Sequence, residues 1–244
     1  MGLHRRASVP RAARRMQTLL AACAFVLGWS LAVPSPSRAQ LLSVEETEDL
    51  VRAVYFEGMP EEAAAAIGPE GCERLIEMLG DPGERASHGQ IMVAIGICGP
   101  AGGFEAVSAW ADAEREGEVD RDTFRAWQAL PFALGHLARH DRRALDRLEL
   151  GLNAAEAPSW TFRHHRGARL VSLSRRAAAS SLAMTGLPEA ASVLERAHGR
   201  SSDQDFEAHL SRARAMHRQA ADARARAGQG PADRNQRGGL GERR

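Results

Sequence analysis

The stretch from Gly71 to Gly99 constrains the fold of this 244-residue chain more than any other part of the sequence. It contains two apolar patterns with the spacing of a helical face, separated by a Gly-Asp-Pro-Gly turn at 80–83. Pro69 lies where a helix start tolerates proline, and the glycine and proline at 99–100 form a stop signal. Neither helix can bury its apolar face alone, so the stretch predicts a helical hairpin that packs against neighbouring hairpins. The two faces comprise Cys72, Leu75, Ile76 and Leu79, followed by Ile91, Ala94, Ile95 and Cys98.

Two serines have the spacing of a capping box, in which a serine and a residue three positions later satisfy free backbone N–H groups. Ser43 and Glu46 predict the start of a first helix, which we expect to end at residue 57. Ser87 and Gln90 predict the start of the second helix of the hairpin. We expect the first helix to bury Leu50, Val51, Val54 and Tyr55.

Helical spacing of apolar residues continues through most of the chain and predicts an all-α fold. The alternation typical of strands is absent and β-branched residues are few, so we expect no strand. Pro131 lies inside one predicted helix and should kink it. Beyond the hairpin, we expect helices at 61–67, 103–116, 121–138, 141–153, 161–185, 188–197 and 203–227.

Three helix ends share a pattern of small, large aliphatic and small residues followed by a stop. The aliphatic residues are Ile95, Leu134 and Leu182, which are 39 and 48 residues apart. Small residues at these positions would let helix backbones approach closely. Paired helices at such periods resemble HEAT-type repeats, and 181–188 is similar to the bacterial, PBS-lyase-type HEAT group. The resemblance covers roughly 60–200 and implies an α-solenoid of irregular hairpins that serves as a binding surface.

The first 39 residues have the features of a secretory signal. A basic start without acidic residues precedes an apolar run at 18–33 and a small-x-small cleavage site at 37–39. We favour cleavage, which predicts a periplasmic or secreted bacterial protein. An uncleaved membrane anchor stays open because the run is at the short end of the ~17–25 residues that span a bilayer. A lipoprotein box at 20–23 and a twin-arginine signal at 14–15 are weaker alternatives.

The remaining chain divides into a solenoid domain at 40–200, a terminal helix at 201–227 and a tail at 228–244. The tail consists largely of Gly, Arg, Asn, Gln and Pro and should be disordered. All 32 basic residues of the chain are arginine, which excludes Schiff-base lysines and phosphate-loop lysines. No GxSxG, HExxH or dinucleotide-binding motif is present. We therefore predict a non-enzyme with no catalytic residues, cofactor or metal.

Charge is distributed unevenly along the chain. Residues 41–84 hold 12 acidic residues and 2 arginines, whereas residues 121–200 hold 13 arginines and 7 acidic residues. This asymmetry fits two solvated faces. It also fits a molecule with an acidic and a basic end that binds a charged partner or stacks head to tail.

Three groups of residues are candidates for a site. Cys72 and Cys98 fall at the same end of the predicted hairpin and could form a disulfide, or they could remain buried thiols. His136 and His140 are four residues apart and, with the pair at 164–165, could bind a metal, although solvated histidines are the simpler interpretation. Arginines near aromatic residues could bind an anion or a partner, or could form a solvated helix face. These arginines are Arg163, Arg166, Arg169, Arg175 and Arg176.

The function that we predict is an exported, non-catalytic HEAT-like scaffold that binds another protein through its helical surface. Because the chain carries an export signal, we expect no nucleic-acid partner. A structural module of the cell envelope that stacks on itself is the first alternative. An enzyme or metal-binding protein without a recognisable motif is the second.

Overall fold

The computed structural model describes residues 41–55 and 58–228, and this part of the chain is mostly helical, as predicted. The predicted signal at 1–39 lies outside the described residues, as does the predicted tail apart from Gly228. The ten described helices are α1 (Val44–Arg52), α2 (Glu61–Ala65), α3 (Pro69–Gly80), α4 (His88–Cys98), α5 (Gly103–Asp112), α6 (Arg121–Leu137), α7 (Arg143–Leu152), α8 (Ala168–Thr185), α9 (Pro188–Ala197) and α10 (Gln204–Gly228). None of these helices is long and apolar enough to span a bilayer.

Helix contacts follow a regular order along the chain. The helices α4, α6, α8 and α10 contact one another in that order, and each also contacts the helix that precedes it. The predicted hairpin at 71–99 is therefore present as α3 and α4. One apolar cluster extends from Val51 in α1 to Ala213 in α10. The core is thus built from apolar faces that successive helices share.

Small residues sit where successive helices cross. A Cβ added at Gly96 of α4 would lie 2.5 Å from the carbonyl oxygen of Ala133 in α6. A Cβ added at Gly135 of α6 would lie 3.2 Å from the carbonyl oxygen of Ser181 in α8. In each case the second small residue of one motif meets the first small residue of the next. The aliphatic residues between them are Ile95, Leu134 and Leu182, and all three are buried.

The two predicted capping boxes differ in outcome. Ser43 accepts from the Glu46 backbone N–H at 3.2 Å, and Glu46 accepts from the Ser43 backbone N–H at 2.8 Å, so this box is confirmed. The box at Ser87 is wrong, because its side chain makes no capping hydrogen bond. A 3-10 helix at Pro82–Ser87 runs directly into α4 and already supplies the first turn of backbone.

Two helices end earlier than predicted. In each, a side chain just past the helix end folds back and donates to the last carbonyl groups. The first helix ends at Arg52, where Tyr55 donates its hydroxyl to the Leu50 carbonyl at 2.9 Å, and Val54 is 80% exposed rather than buried. Helix α5 ends at Asp112. Arg115 folds back there and donates to three carbonyl groups, those of Trp110, Ala111 and Ala113.

The expectation of no strand is wrong for two short segments. Strand β1 (Gly117–Glu118) pairs in parallel with β2 (Trp160–Thr161). Val119 N–H extends the pairing by donating to the Thr161 carbonyl at 2.9 Å. Strands of two residues are too short to show alternation, which is why the sequence pattern misses them. Thr161 is taken up by β2, and Phe162 and His165 exchange two backbone hydrogen bonds in a turn, so α8 begins at Ala168 and not at residue 161.

Candidate partner-binding surface

The five candidate arginines do not share one open surface. Arg163, Arg166 and Arg169 are exposed and lie together at the start of α8. Arg175 is half-buried, donates Nε to the Leu152 carbonyl at 3.2 Å and lies 3.9 Å from the ring centre of Phe206. Arg176 is half-buried and its Nε atom is enclosed. The predicted set therefore contracts to the first three, which we call the arginine surface.

The arginine surface lacks carboxylate partners, whereas several arginines of other helices have them. Arginines of α7, α9 and α10 form ion pairs with acidic residues of earlier helices. These pairs are Arg143–Glu105, Arg147–Asp112, Arg196–Glu149 and Arg214–Glu195. Within the described residues, no carboxylate lies within 4.0 Å of the arginine surface. Its charges are therefore free to attract an anionic group.

An aromatic cluster lies directly beside the arginine surface. Phe124 of α6 stacks on Phe162 with ring centres 4.2 Å apart, and His165 stacks on Phe124 at 5.3 Å. Arg163 lies 5.3 Å from the ring centre of Phe162, and Arg169 donates Nε to His165 Nδ1 at 3.1 Å. The aromatic cluster comprises Phe124, Trp127, Trp160, Phe162 and His165.

An apolar groove of about 380 Å³ opens between α6, α7 and α8 next to the aromatic cluster. Gly151, Ser174 and Ala177 leave this space because their side chains are small or absent. Leu150 stands at the edge of the groove and is 67% exposed. Trp127, Leu130, Pro131, Leu134, Leu148 and Leu173 provide most of the remaining lining.

The four candidate histidines do not form a metal site. His136 lies in α6 with Nδ1 3.8 Å from a Glu61 oxygen, whereas His140 lies in the following turn against Gly99. Burial lowers the pKa of His136, and the Glu61 carboxylate opposes that effect. His164 is exposed, and His165 belongs to the aromatic cluster. Residues 41–55 and 58–228 contain no group of three metal-ligating side chains.

Cys72 and Cys98 come together where α3 begins and α4 ends. Their Sγ atoms are in direct contact and their Cα atoms are 6.4 Å apart. That Cα separation falls in the range of ~4.4–6.8 Å that disulfides show. The geometry permits the predicted disulfide, whose formation stays a prediction.

Sequence reasoning expected a groove lined by the second helices of each pair, including 121–138 and 161–185, but it identified none of the groove's lining residues and missed most of the aromatic cluster. The apolar spacing of α6 includes Phe124 and Trp127, but it marks them only as buried positions. The chain order does not reveal that the loop at 160–165 folds onto them. The pairing of β1 with β2 places this loop there, and a Trp-Thr-Phe run at 160–162 was its only local signal.

The site therefore consists of a charged and aromatic surface with an adjoining apolar groove. Such a surface can bind carboxylates or phosphates through the guanidinium groups and apolar side chains in the groove. No protein-family model, curated protein or solved structure matches the chain.

Proposed function

We propose that this chain is an exported, non-catalytic scaffold whose helical hairpins form a HEAT-like α-solenoid and which binds another protein. The order of helix contacts supports the solenoid, since each hairpin packs on the next. The regular meeting of small residues at 96 with 133 and at 135 with 181 supports a repeat. Each hairpin would then present side chains along an extended surface, as solenoids do.

The observation that carries the binding function is the arginine surface. Arg163, Arg166 and Arg169 are exposed and lack a carboxylate partner in the described structure, and Arg163 and Arg169 also contact the aromatic cluster. Arginine stacked against aromatic rings is favoured at protein interfaces. The partner would therefore present carboxylate groups to this surface.

Charge reversal tests this function directly. The triple variant Arg163→Glu, Arg166→Glu, Arg169→Glu should lose a partner that the wild-type protein captures from a cell-envelope extract. Repulsion replaces attraction at three positions, so we expect at least a tenfold loss, equivalent to about 1.4 kcal/mol. Quantitative mass spectrometry of the captured proteins measures the effect.

A matched control reverses charge elsewhere on the molecule. Arg212 and Arg218 on α10 are also exposed and also lack a carboxylate partner in the described structure. The double variant Arg212→Glu, Arg218→Glu should capture the same partner as wild type. Equal capture by the triple variant and wild type would contradict the proposed surface.

Self-stacking is the second candidate, and the distribution of unpaired charge favours it. Glu70 and Glu73 of α3 are exposed without an arginine partner in the described structure. At the other end of the helix order, α10 carries the unpaired Arg212 and Arg218. One copy could therefore place its first hairpin against the last helix of the next copy.

A further inference from the structure

We infer that the apolar groove between α6, α7 and α8 receives the apolar side chains of an amphipathic helix whose acidic residues bind the arginine surface. This inference rests on the proposed protein-binding function and names the kind of segment that the partner supplies. It adds the lining of this groove to the arginines that the sequence singled out.

The groove and the arginine surface are continuous along α8. Leu173 lines the groove, and Arg169 is one turn earlier on the same face of the helix, since residues four apart are neighbours. Trp127 belongs to the aromatic cluster and also lines the groove, and Leu173 packs against the buried group that contains Phe124 and Trp160. A single bound segment can thus touch apolar and charged groups within two helical turns.

The groove suits side chains better than a fully enclosed ligand. Its volume of about 380 Å³ is near the lower end of the ~300–1,000 Å³ range for small-molecule pockets. Leu150 at its edge is 67% exposed, so an occupant would cover it only by extending beyond the groove. Helices that bind in grooves insert bulky residues at i, i+3 or i+4 and i+7, which matches an open groove of this size.

The arginines near the groove determine where the bound helix should carry its acidic residues. Arg147 at the groove is already paired with Asp112, so it attracts a second carboxylate weakly. The exposed arginines of the arginine surface, which have no carboxylate partner among the described residues, lie beyond Leu173. The acidic residues of the partner should therefore lie one or two turns from its apolar anchors, at one end of the helix only.

Selection of random peptides displayed on phage against the purified protein tests the inference. We expect enriched peptides to combine bulky apolar residues at helical spacing with acidic residues at one end. Leu150→Ser and Ser174→Leu should each weaken the binding of a labelled selected peptide about tenfold, as should Arg169→Glu, in fluorescence anisotropy. Leu41 is another exposed leucine, 57% exposed, and Leu41→Ser should leave the affinity unchanged.

Several outcomes would overturn the inference. One is a selection that yields no binder, or binders without acidic residues. Another is a peptide affinity that Leu150→Ser and Ser174→Leu both leave unchanged. Leu150 is exposed, so Leu150→Ser should fold, and thermal melting checks that it does. Binding to anionic phospholipid vesicles, or self-association, that Leu150→Ser abolishes would assign the groove to a different occupant.

The inference about the groove can be wrong while the proposed function holds. If Leu150→Ser and Ser174→Leu capture the envelope partner normally while the triple arginine variant does not, the inference is wrong and the proposed function stands. If the triple variant also captures the partner normally, the proposed function fails with it.

Discussion

At the scale of single residues, His88 shows how one buried polar group joins three segments. Its Nδ1 accepts from Trp110 Nε1 of α5 at 3.0 Å, so the neutral ring donates Nε2–H to the Asp81 carbonyl at 3.1 Å. The ring therefore links the end of α3 and the start of α4 to α5. Burial lowers the pKa of His88, with opposing contributions from the Asp81 carbonyl and nearby carboxylates.

This lowered pKa predicts a pH-dependent stability. The unfolded chain binds a proton near pH 6.5 more readily than the folded chain, so the free energy of unfolding should fall as pH drops through that value. Protonation at Nδ1 would also break the Trp110 hydrogen bond, which contributes about 1 kcal/mol. Urea unfolding at pH 7.5 and 5.5 should show a loss about 1 kcal/mol smaller in His88→Gln, which does not titrate.

The exposed His164 provides the control for this measurement. His164→Gln should leave the difference between the two pH values as it is in wild type. His136 and His209 also have pKa values lowered by burial, so some pH dependence should persist in His88→Gln. An unchanged pH dependence in His88→Gln would contradict the assignment.

At the scale of helices, packing depends on close crossings at glycine. Alanine normally stabilises a helix over glycine by about 0.5–1 kcal/mol. At Gly96, however, the added Cβ would lie 2.5 Å from backbone of α6, so the helices must separate. Gly80, the last residue of α3, has no atom within 4 Å of its added Cβ and provides a matched site without a neighbour.

Gly96→Ala should therefore lower the free energy of unfolding by about 1–3 kcal/mol, the usual cost of forced packing. Gly80→Ala should be neutral or stabilising by up to about 0.5 kcal/mol. Chemical denaturation of both variants, compared with wild type, measures the difference. Equal stability of the two variants would show that α4 and α6 adjust without cost and that the crossing does not require glycine.

The sequence predicts individual helices better than the contacts between them. The bounds of α7 and α9 and the buried faces of α3 and α4 follow from local spacing, because the apolar residues on one face are only three or four apart. The early ends of α1 and α5 do not, since Tyr55 and Arg115 fold back onto carbonyl groups five residues earlier and apolar spacing does not mark such capping side chains. The groove is a space between three helices, and no spacing within one helix encodes it.

At the scale of the whole molecule, several ion pairs join a helix to a later helix of the chain. In α5, α7, α9 and α10, acidic residues of earlier helices pair with arginines of later ones, as in Glu105 with Arg143 and Glu149 with Arg196. Arg52 with Glu84 and Arg85 with Asp120 pair in the opposite order. Of the acidic residues at 41–84, Glu61 pairs with an arginine of the later, arginine-rich part of the chain, Arg139. Some charges of α3 and α10, such as Glu70 and Arg212, have no ion-pair partner in the described structure. Head-to-tail stacking would continue the same pairing between copies.

Self-stacking through opposite charges predicts oligomers that dissociate at high ionic strength. Light scattering should show oligomers at low ionic strength and monomers at about 1 M salt, where charges are screened beyond about 3 Å. Reversing the acidic end with Glu70→Arg, Glu73→Arg should abolish the oligomers, and so should reversing Arg212 and Arg218 to glutamate. Mixing the two variants should restore association, because one then has two basic ends and the other two acidic ends. A monomer at low salt, or a mixture that stays monomeric, would contradict self-stacking. The proposal that the protein binds a different protein does not depend on this result.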